Sequence, residues 1–120
     1  MKVGENAATT RRFRAAEVDE YCRLGGARPA ANCVPEPMIG ALFSYLLGVR
    51  LPGPGTMYLK QETEFTGLAR LDENLHARVE ITRVRPEKHL VDLVTLCARH
   101  DGSLLARGRA LVYVKDVVGD

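Results

Sequence analysis

Apolar positions along the chain change their period once, near residue 55, and that change divides the molecule into a helical part and a sheet part. Met38, Ile39, Leu42, Phe43, Leu46 and Leu47 repeat at a helical spacing, predicting a helix over Met38–Val49. Pro37 suits its first turn, where a missing N–H costs nothing. Gly48 is a candidate stop, and Pro52-Gly-Pro-Gly55 forbids continuation. The other face carries Gly40, Ala41, Ser44 and Tyr45, so the helix is small or apolar nearly all round and is expected to be buried. At roughly 18 Å it is too short to cross a bilayer. Upstream, Ala15–Leu24 predicts a short amphipathic helix with Val18, Tyr21, Cys22 and Leu24 toward one side, stopped by Gly25-Gly26. Residues 27–35 form an irregular connection, and residues 1–12 are polar and expected to be partly extended or loose.

Beyond the Pro/Gly stretch the period becomes two. Thr56–Phe65 has strand composition, and in Leu75–Val84 the residues Leu75, Ala77, Val79 and Ile81 alternate with His76, Arg78, Glu80 and Thr82. Arg85-Pro-Glu-Lys88 is a turn, His89–Ala98 a long apolar strand, and Asp101-Gly102 a hairpin signal. Ser103–Lys115 is the last strand, with Ala106, Gly108 and Ala110 small enough for close contact; residues 116–120 are expected to fray. Four consecutive strands joined by short turns predict antiparallel neighbours in a sheet curved around one apolar helix. The fold class is α+β, the hot-dog architecture. One such layer leaves a strand edge open, so a dimer is expected.

Composition narrows the function classes. The 120 residues form one domain, 1–120, with 46% hydrophobic and 27% charged residues. A net charge of +2 with interspersed signs gives no reason to expect nucleic acid or an anionic membrane as partner. The N-terminal ten residues lack the apolar run of a signal peptide. Cys22, Cys33 and Cys97 are odd in number and lack metal-ligand spacing, which predicts reduced thiols, a cytoplasmic setting and no metal site.

Leu51-Pro-Gly-Pro-Gly-Thr-Met-Tyr-Leu-Lys-Gln61 with Phe65, placed after a helix ending Tyr45-Leu-Leu-Gly48, resembles the MaoC-like hydratase/dehydratase family, which includes the (R)-specific enoyl-CoA hydratases. Phe13–Leu24 is similar to the helix preceding that family's catalytic loop, and the resemblance spans roughly residues 10–115. It implies a hot-dog fold, a homodimer or a heterodimer with another hot-dog subunit, and an acyl-CoA or acyl-carrier thioester as ligand with no further cofactor. It also implies a loop pattern Gly-Asp-x-Asn-Pro-x-His, whose Asp and His move protons to and from the acyl group, and a backbone N–H at the start of the central helix that polarises the thioester carbonyl. Here the matching place is Gly25-Gly-Ala-Arg-Pro-Ala-Ala31. Aligned on Pro29, Gly26 stands for the Asp, Arg28 for the Asn and Ala31 for the His, and residues 21–35 contain no Asp, Glu or His. The loop is also shorter than is usual in that family.

The candidate residues follow from this comparison. Gly40 matches the glycine after the family's helix-start position, so its N–H is a candidate oxyanion donor; the other reading is a glycine permitting close helix–sheet packing. Glu36 is the one carboxylate beside the helix start, either a base for thioester hydrolysis or an acid favoured by the helix dipole. Arg28 is a candidate for a CoA phosphate or a solvated loop residue. Pro52, Gly53 and Gly55 are candidates for the pantetheine channel. Tyr58, a further substrate-binding candidate, begins the next strand, its side chain expected on one face with Lys60, Glu62 and Glu64. His76, His89 and His100 read as surface residues, and Cys33 as a small buried residue. Three functions remain open: a hydratase/dehydratase with an unorthodox acid/base arrangement, a silent subunit completing the pocket of an active hot-dog partner, or a thioesterase relying on Glu36 and Gly40.

Overall fold

A computed structural model describes residues 1–115. In chain order it contains β1 (Asn6–Arg11), α1 (Ala15–Arg23), α2 (Glu36–Tyr45), β2 (Thr56–Phe65), β3 (Leu75–Arg85), β4 (Leu90–Arg99) and β5 (Leu104–Val114). The fraying expected of 116–120 lies outside the described residues. The strands form one antiparallel sheet in the order β1-β3-β4-β5-β2, which wraps α2 as a hot-dog fold does.

Of the two alternatives open for residues 1–12 the extended one holds, because Asn6–Arg11 pairs with β3 from Asn6↔Glu80 to Arg11↔Leu75. One expectation about the sheet needs correction: β2 is not next to β3. It pairs with β5, and the connection 66–74 carries the chain past two strands to the far side of the sheet. Hairpin logic works for β3–β4–β5, where short turns join neighbours; the β2–β3 connection is long enough to escape it. At the β4–β5 turn Gly102 takes φ 89°, a conformation other side chains resist.

The core lies between α2 and the inner face of the sheet. Ile39, Leu42, Phe43, Leu46 and Leu47 point down into Leu75, Ala77, Val79, Ile81, Val91 and Leu93. Each large apolar side chain so buried contributes roughly 1.5–3 kcal/mol. Gly48 does not stop the helix. The backbone runs on through a single wider turn, Leu46–Arg50, closed by the Leu51 N–H donating to the Leu46 carbonyl at 2.7 Å. The stop comes from Pro52 to Gly55, where Gly53 and Gly55 adopt φ 95° and 88° and the Gly53 N–H reaches back to the Leu47 carbonyl at 2.9 Å.

The β5–β2 seam is tight. A Cβ on Gly108 would lie 1.9 Å from the Glu62 carbonyl oxygen, so the expected role of small residues in β5 holds at this position for a backbone reason. The outer face of the sheet is charged and paired: Glu62 with Arg109 at 3.2 Å, Glu64 with Arg107 at 3.5 Å, and Arg78 with Glu80 at 2.6 Å.

Candidate functional site

The first turn of α2 decides which backbone donor is available. Pro35 caps the helix, Pro37 has no N–H, and the Met38 N–H donates to the Pro35 carbonyl at 3.0 Å. The Glu36 N–H stands at the positive end of the helix dipole with no acceptor among the described residues. Gly40 is the fifth residue of α2, and its N–H belongs to the helical ladder, bonded toward the Glu36 carbonyl. Gly40 thus lies inside the helix rather than at its free end. The helix begins at Glu36, earlier than the apolar period suggested, which draws Gly40 inside it. A Cβ on Gly40 would meet nothing within 4 Å, so close packing does not require this glycine either. The Glu36 side chain is exposed in the same first turn.

The face of α2 turned away from the sheet is not buried as expected. Ala41, Ser44, Tyr45 and Val49 are exposed, Tyr45 by 46% and Val49 by 55%. Between this face and β1 lies an open groove of about 440 Å³. Its floor is Met38, Ala41, Leu42 and Tyr45 of α2; its opposite wall is Thr9 and Phe13. Arg11 sits on the rim, its guanidinium 4.8 Å above the Phe13 ring and paired with Glu17. Glu17 also accepts the Arg14 N–H at 3.2 Å, which ties the start of α1 to the same corner. β1 is small and polar, so the sequence marks this wall only weakly, yet Ala7, Thr9, Arg11 and Phe13 do alternate onto one side.

The connection between the helices holds what is needed to end α1 and little else. The Gly26 N–H donates to the Tyr21 carbonyl at 3.0 Å and the Gly25 N–H to the Cys22 carbonyl at 3.1 Å, with Gly25 at φ 108°. This is the paired-bond helix stop that favours glycine. A Cβ at Gly26 would lie 2.2 Å from the Tyr21 ring. The place matched to a catalytic Asp is thus occupied by an aromatic ring. Arg28 is exposed and pairs with Asp19 across 3.1 Å. Both line a smaller hollow of about 240 Å³ together with Asn32 and the buried Cys33.

The remaining candidates lie elsewhere. Pro52, Gly53 and Gly55 follow the far end of the helix, roughly 20 Å from Glu36 by helical rise. Tyr58 departs from its expected face. A bulge between Tyr58 and Lys60 shifts the register, so Tyr58 opposes the buried Val112 on the inner face while Lys60, Glu62 and Glu64 point outward. Burial pushes the Tyr58 phenol up to about 12, and its hydroxyl has no hydrogen-bond partner among the described residues. Burial likewise pushes the Cys97 thiol up to about 11, which keeps it protonated and inert. The three histidines stay exposed: His76 bonds Thr10 at 2.9 Å, and His89 lies 5.6 Å from the Tyr113 ring. Among the described residues no cluster of His, Cys, Asp and Glu could hold a metal ion, and no helix is long and apolar enough to cross a membrane.

No family model matches the chain. Individual proteins do. It is 32% identical to the (R)-specific enoyl-CoA hydratase of Aeromonas caviae in an alignment that takes in 93% of this chain and 94% of that one. The alignment runs to 126 residues against a chain of 120, so the relative carries residues that have no counterpart here. In structure, the chain is similar to an (R)-hydratase from A. caviae involved in PHA biosynthesis, with a TM-score of 0.90 at 30% identity over 95% of this chain and 97% of that one. It is similar also to an R-hydratase from Pseudomonas aeruginosa, with a TM-score of 0.87 at 26% identity over 95% and 82% of the two chains.

Proposed function

The chain belongs to the (R)-specific enoyl-CoA hydratase family of MaoC-like hot-dog proteins, and from that premise we propose that it binds an acyl thioester without itself supplying the proton-transfer pair. One observation carries this reading. The likeness runs through essentially the whole chain, yet the connection from Tyr21 to Pro35 contains neither carboxylate nor imidazole, and Tyr21 fills the space beside Gly26. Each acid or base group typically contributes 100- to 10,000-fold, so losing both removes most of the hydration rate.

What remains suits binding. The Glu36 N–H is a donor for the thioester oxygen, aided by the helix dipole. The groove beside Met38 offers apolar surface within one turn of it. The ligand is an acyl-CoA or acyl-carrier thioester, and the chain uses no other cofactor. The second half of the site comes from another hot-dog subunit, which supplies the acid/base groups when it is a different chain. In support, β2 is an edge strand with one side unpaired, and Met57 and Leu59 on it are 61% and 51% exposed, close in sequence to the exposed Tyr45 and Val49.

The test is purified protein with crotonyl-CoA and with a longer trans-2-enoyl-CoA, following enoyl-thioester absorbance and free thiol in parallel. The expected result is binding without loss of absorbance and without thiol release. Hydration by the protein alone would overturn the proposal. Thiol release abolished by Glu36→Gln would replace it with a thioesterase.

A further inference from the structure

We infer that an arginine-rich corner beside the start of α2 is a docking surface for an acidic acyl-carrier domain, so that a thioester borne on a carrier binds more tightly than the same thioester on CoA; the inference rests on the acyl-thioester reading above. Three stretches of chain build the corner. Arg12 and Arg14 flank the buried Phe13, and Arg14 has extended backbone at φ −107° and ψ 160°, which sets it on the same side as Arg12. The Phe13 carbonyl accepts the Asp72 N–H at 2.8 Å and so brings the 66–74 connection, with Arg70, alongside. Arg99 and His100 come from the end of β4. Between them lies an open polar cleft of about 570 Å³, its basic side made by Arg12, Arg70, Arg99 and His100.

The acids of the cleft are mostly engaged within it. Glu73 pairs with Arg99 at 3.4 Å, and Asp101 accepts from the N–H and Oγ of Ser103 at 2.8 and 2.7 Å. Arg12 is held by the neutral Asn74 amide oxygen at 3.3 Å, while Arg14 and Arg70 have no carboxylate partner among the described residues. Asp72 is the acid left over against these three exposed guanidiniums. Elsewhere arginines are neutralised in place, as Arg11 is by Glu17, Arg28 by Asp19 and Arg107 by Glu64. A local excess of exposed positive charge attracts and orients an acidic partner. Beside it Leu68 is 58% exposed and Leu104 37%, tied to the corner by the Arg99 guanidinium donating to the Leu68 carbonyl and the Thr66 hydroxyl donating to the Leu104 carbonyl at 3.0 Å. Apolar side chains next to a charged margin suit a protein contact. A nucleotide finds less here, since no Phe, Tyr or Trp lines the cleft to stack on a base. The corner also adjoins the donor. Arg70 forms an isolated antiparallel bridge with Cys33, and the Val34 N–H donates to the Ala69 carbonyl at 2.8 Å. From Cys33 to Glu36 the chain spans at most about 10 Å, so a carrier seated at this corner holds its thioester arm at the start of α2.

The experiment is a surface plasmon resonance titration of the full chain with an octanoyl group on a purified bacterial acyl carrier protein and with octanoyl-CoA, at low and at high salt. It is repeated for Arg14→Glu, Arg70→Glu and Arg83→Glu, with urea midpoints to show that each variant is folded. Arg83 is exposed toward the far end of β3 and lies outside the cleft, so its reversal changes the net charge equally without touching the corner. The expected result is octanoyl-carrier binding at least roughly tenfold tighter than octanoyl-CoA at low salt, a preference that shrinks at high salt. Arg14→Glu and Arg70→Glu each abolish the preference, Arg83→Glu leaves it intact, and octanoyl-CoA affinity is unchanged throughout. A wild type that binds octanoyl-CoA as tightly as the carrier form, a preference that survives Arg70→Glu, or one lost equally in Arg83→Glu overturns the docking surface while leaving thioester binding in place. A matching loss of octanoyl-CoA affinity in Arg70→Glu overturns it as well and gives the cluster to a CoA phosphate. If the wild type binds neither thioester, the acyl-thioester reading falls and takes this inference with it.

Discussion

Gly108 in β5 and Gly26 after α1 both stand where no side chain fits, and the contrast between them separates the two halves of the molecule. Around Gly108 the obstacle is the Glu62 carbonyl of β2, 1.9 Å from where a Cβ would be, and a backbone in a paired strand cannot step aside. Around Gly26 the obstacle is the ring of Tyr21, 2.2 Å away, on a half-buried side chain that can swing out. The sheet is fixed by its own main chain. The connection is held by local choices that other residues could have made differently, and it is there that the family's chemistry would have to stand.

The largest effect is expected at the seam. Gly108→Val forces β2 off β5 and should cost at least about 3 kcal/mol, or leave no folded protein, read from the urea midpoint. A loss below about 1 kcal/mol would show that β2 is free to move and would erase the contrast. At the connection, Gly26→Ala should cost about 1–2 kcal/mol, much of it from the clash with Tyr21. In a Tyr21→Ala background the same change should cost less, giving a coupling of roughly 1 kcal/mol in a double-mutant cycle. Additive costs would mean that the ring is not what excludes a side chain from position 26.

Two smaller tests use titration and charge. Tyr58 is held neutral beyond its ordinary range by burial, with its folded value at about 12 against 10.0 ordinarily. Between these values the unfolded chain gives up the proton first, so this contribution to stability is complete below pH 10 and is lost as pH rises toward 12. Urea midpoints on either side of pH 10 should fall with pH in the wild type and fall less in Tyr58→Phe; parallel curves would place the phenol in water. Arg28→Ala removes only an exposed pair with Asp19 and should change stability by less than about 0.5 kcal/mol. A larger loss would mean that the connection is stiffer than its contacts indicate.

Much of the sheet was legible because alternation is a strong signal where one face is buried. Thr56–Phe65 is β2 as read, and Leu75–Val84 is β3 short of Arg85. β1 was legible only as one of two alternatives, extended or loose, because its one buried residue is Ala7, too small to mark a period. The place of β2 at the far edge was not legible, since turn rules describe adjacent strands and the 66–74 connection is not a turn. The bulge after Tyr58 is a one-residue shift that composition does not register, and it turned Tyr58 to the face opposite Lys60, which kept its expected place. At the site, the absence of Asp and His could be counted directly, whereas the donor N–H depended on where α2 begins. Two prolines blurred that start by two residues, so the first turn begins at Glu36 and Gly40 falls inside the helix. The groove required knowing that β1 exists.

The account stands or falls on whether this chain holds an acyl thioester without converting it. Equilibrium dialysis of the full chain against trans-2-octenoyl-CoA, with the ligand on the protein side identified by mass, tests both parts at once. The account predicts that the enoyl-CoA accumulates with the protein, unchanged. A ligand heavier by one water, or no accumulation at all, would contradict it.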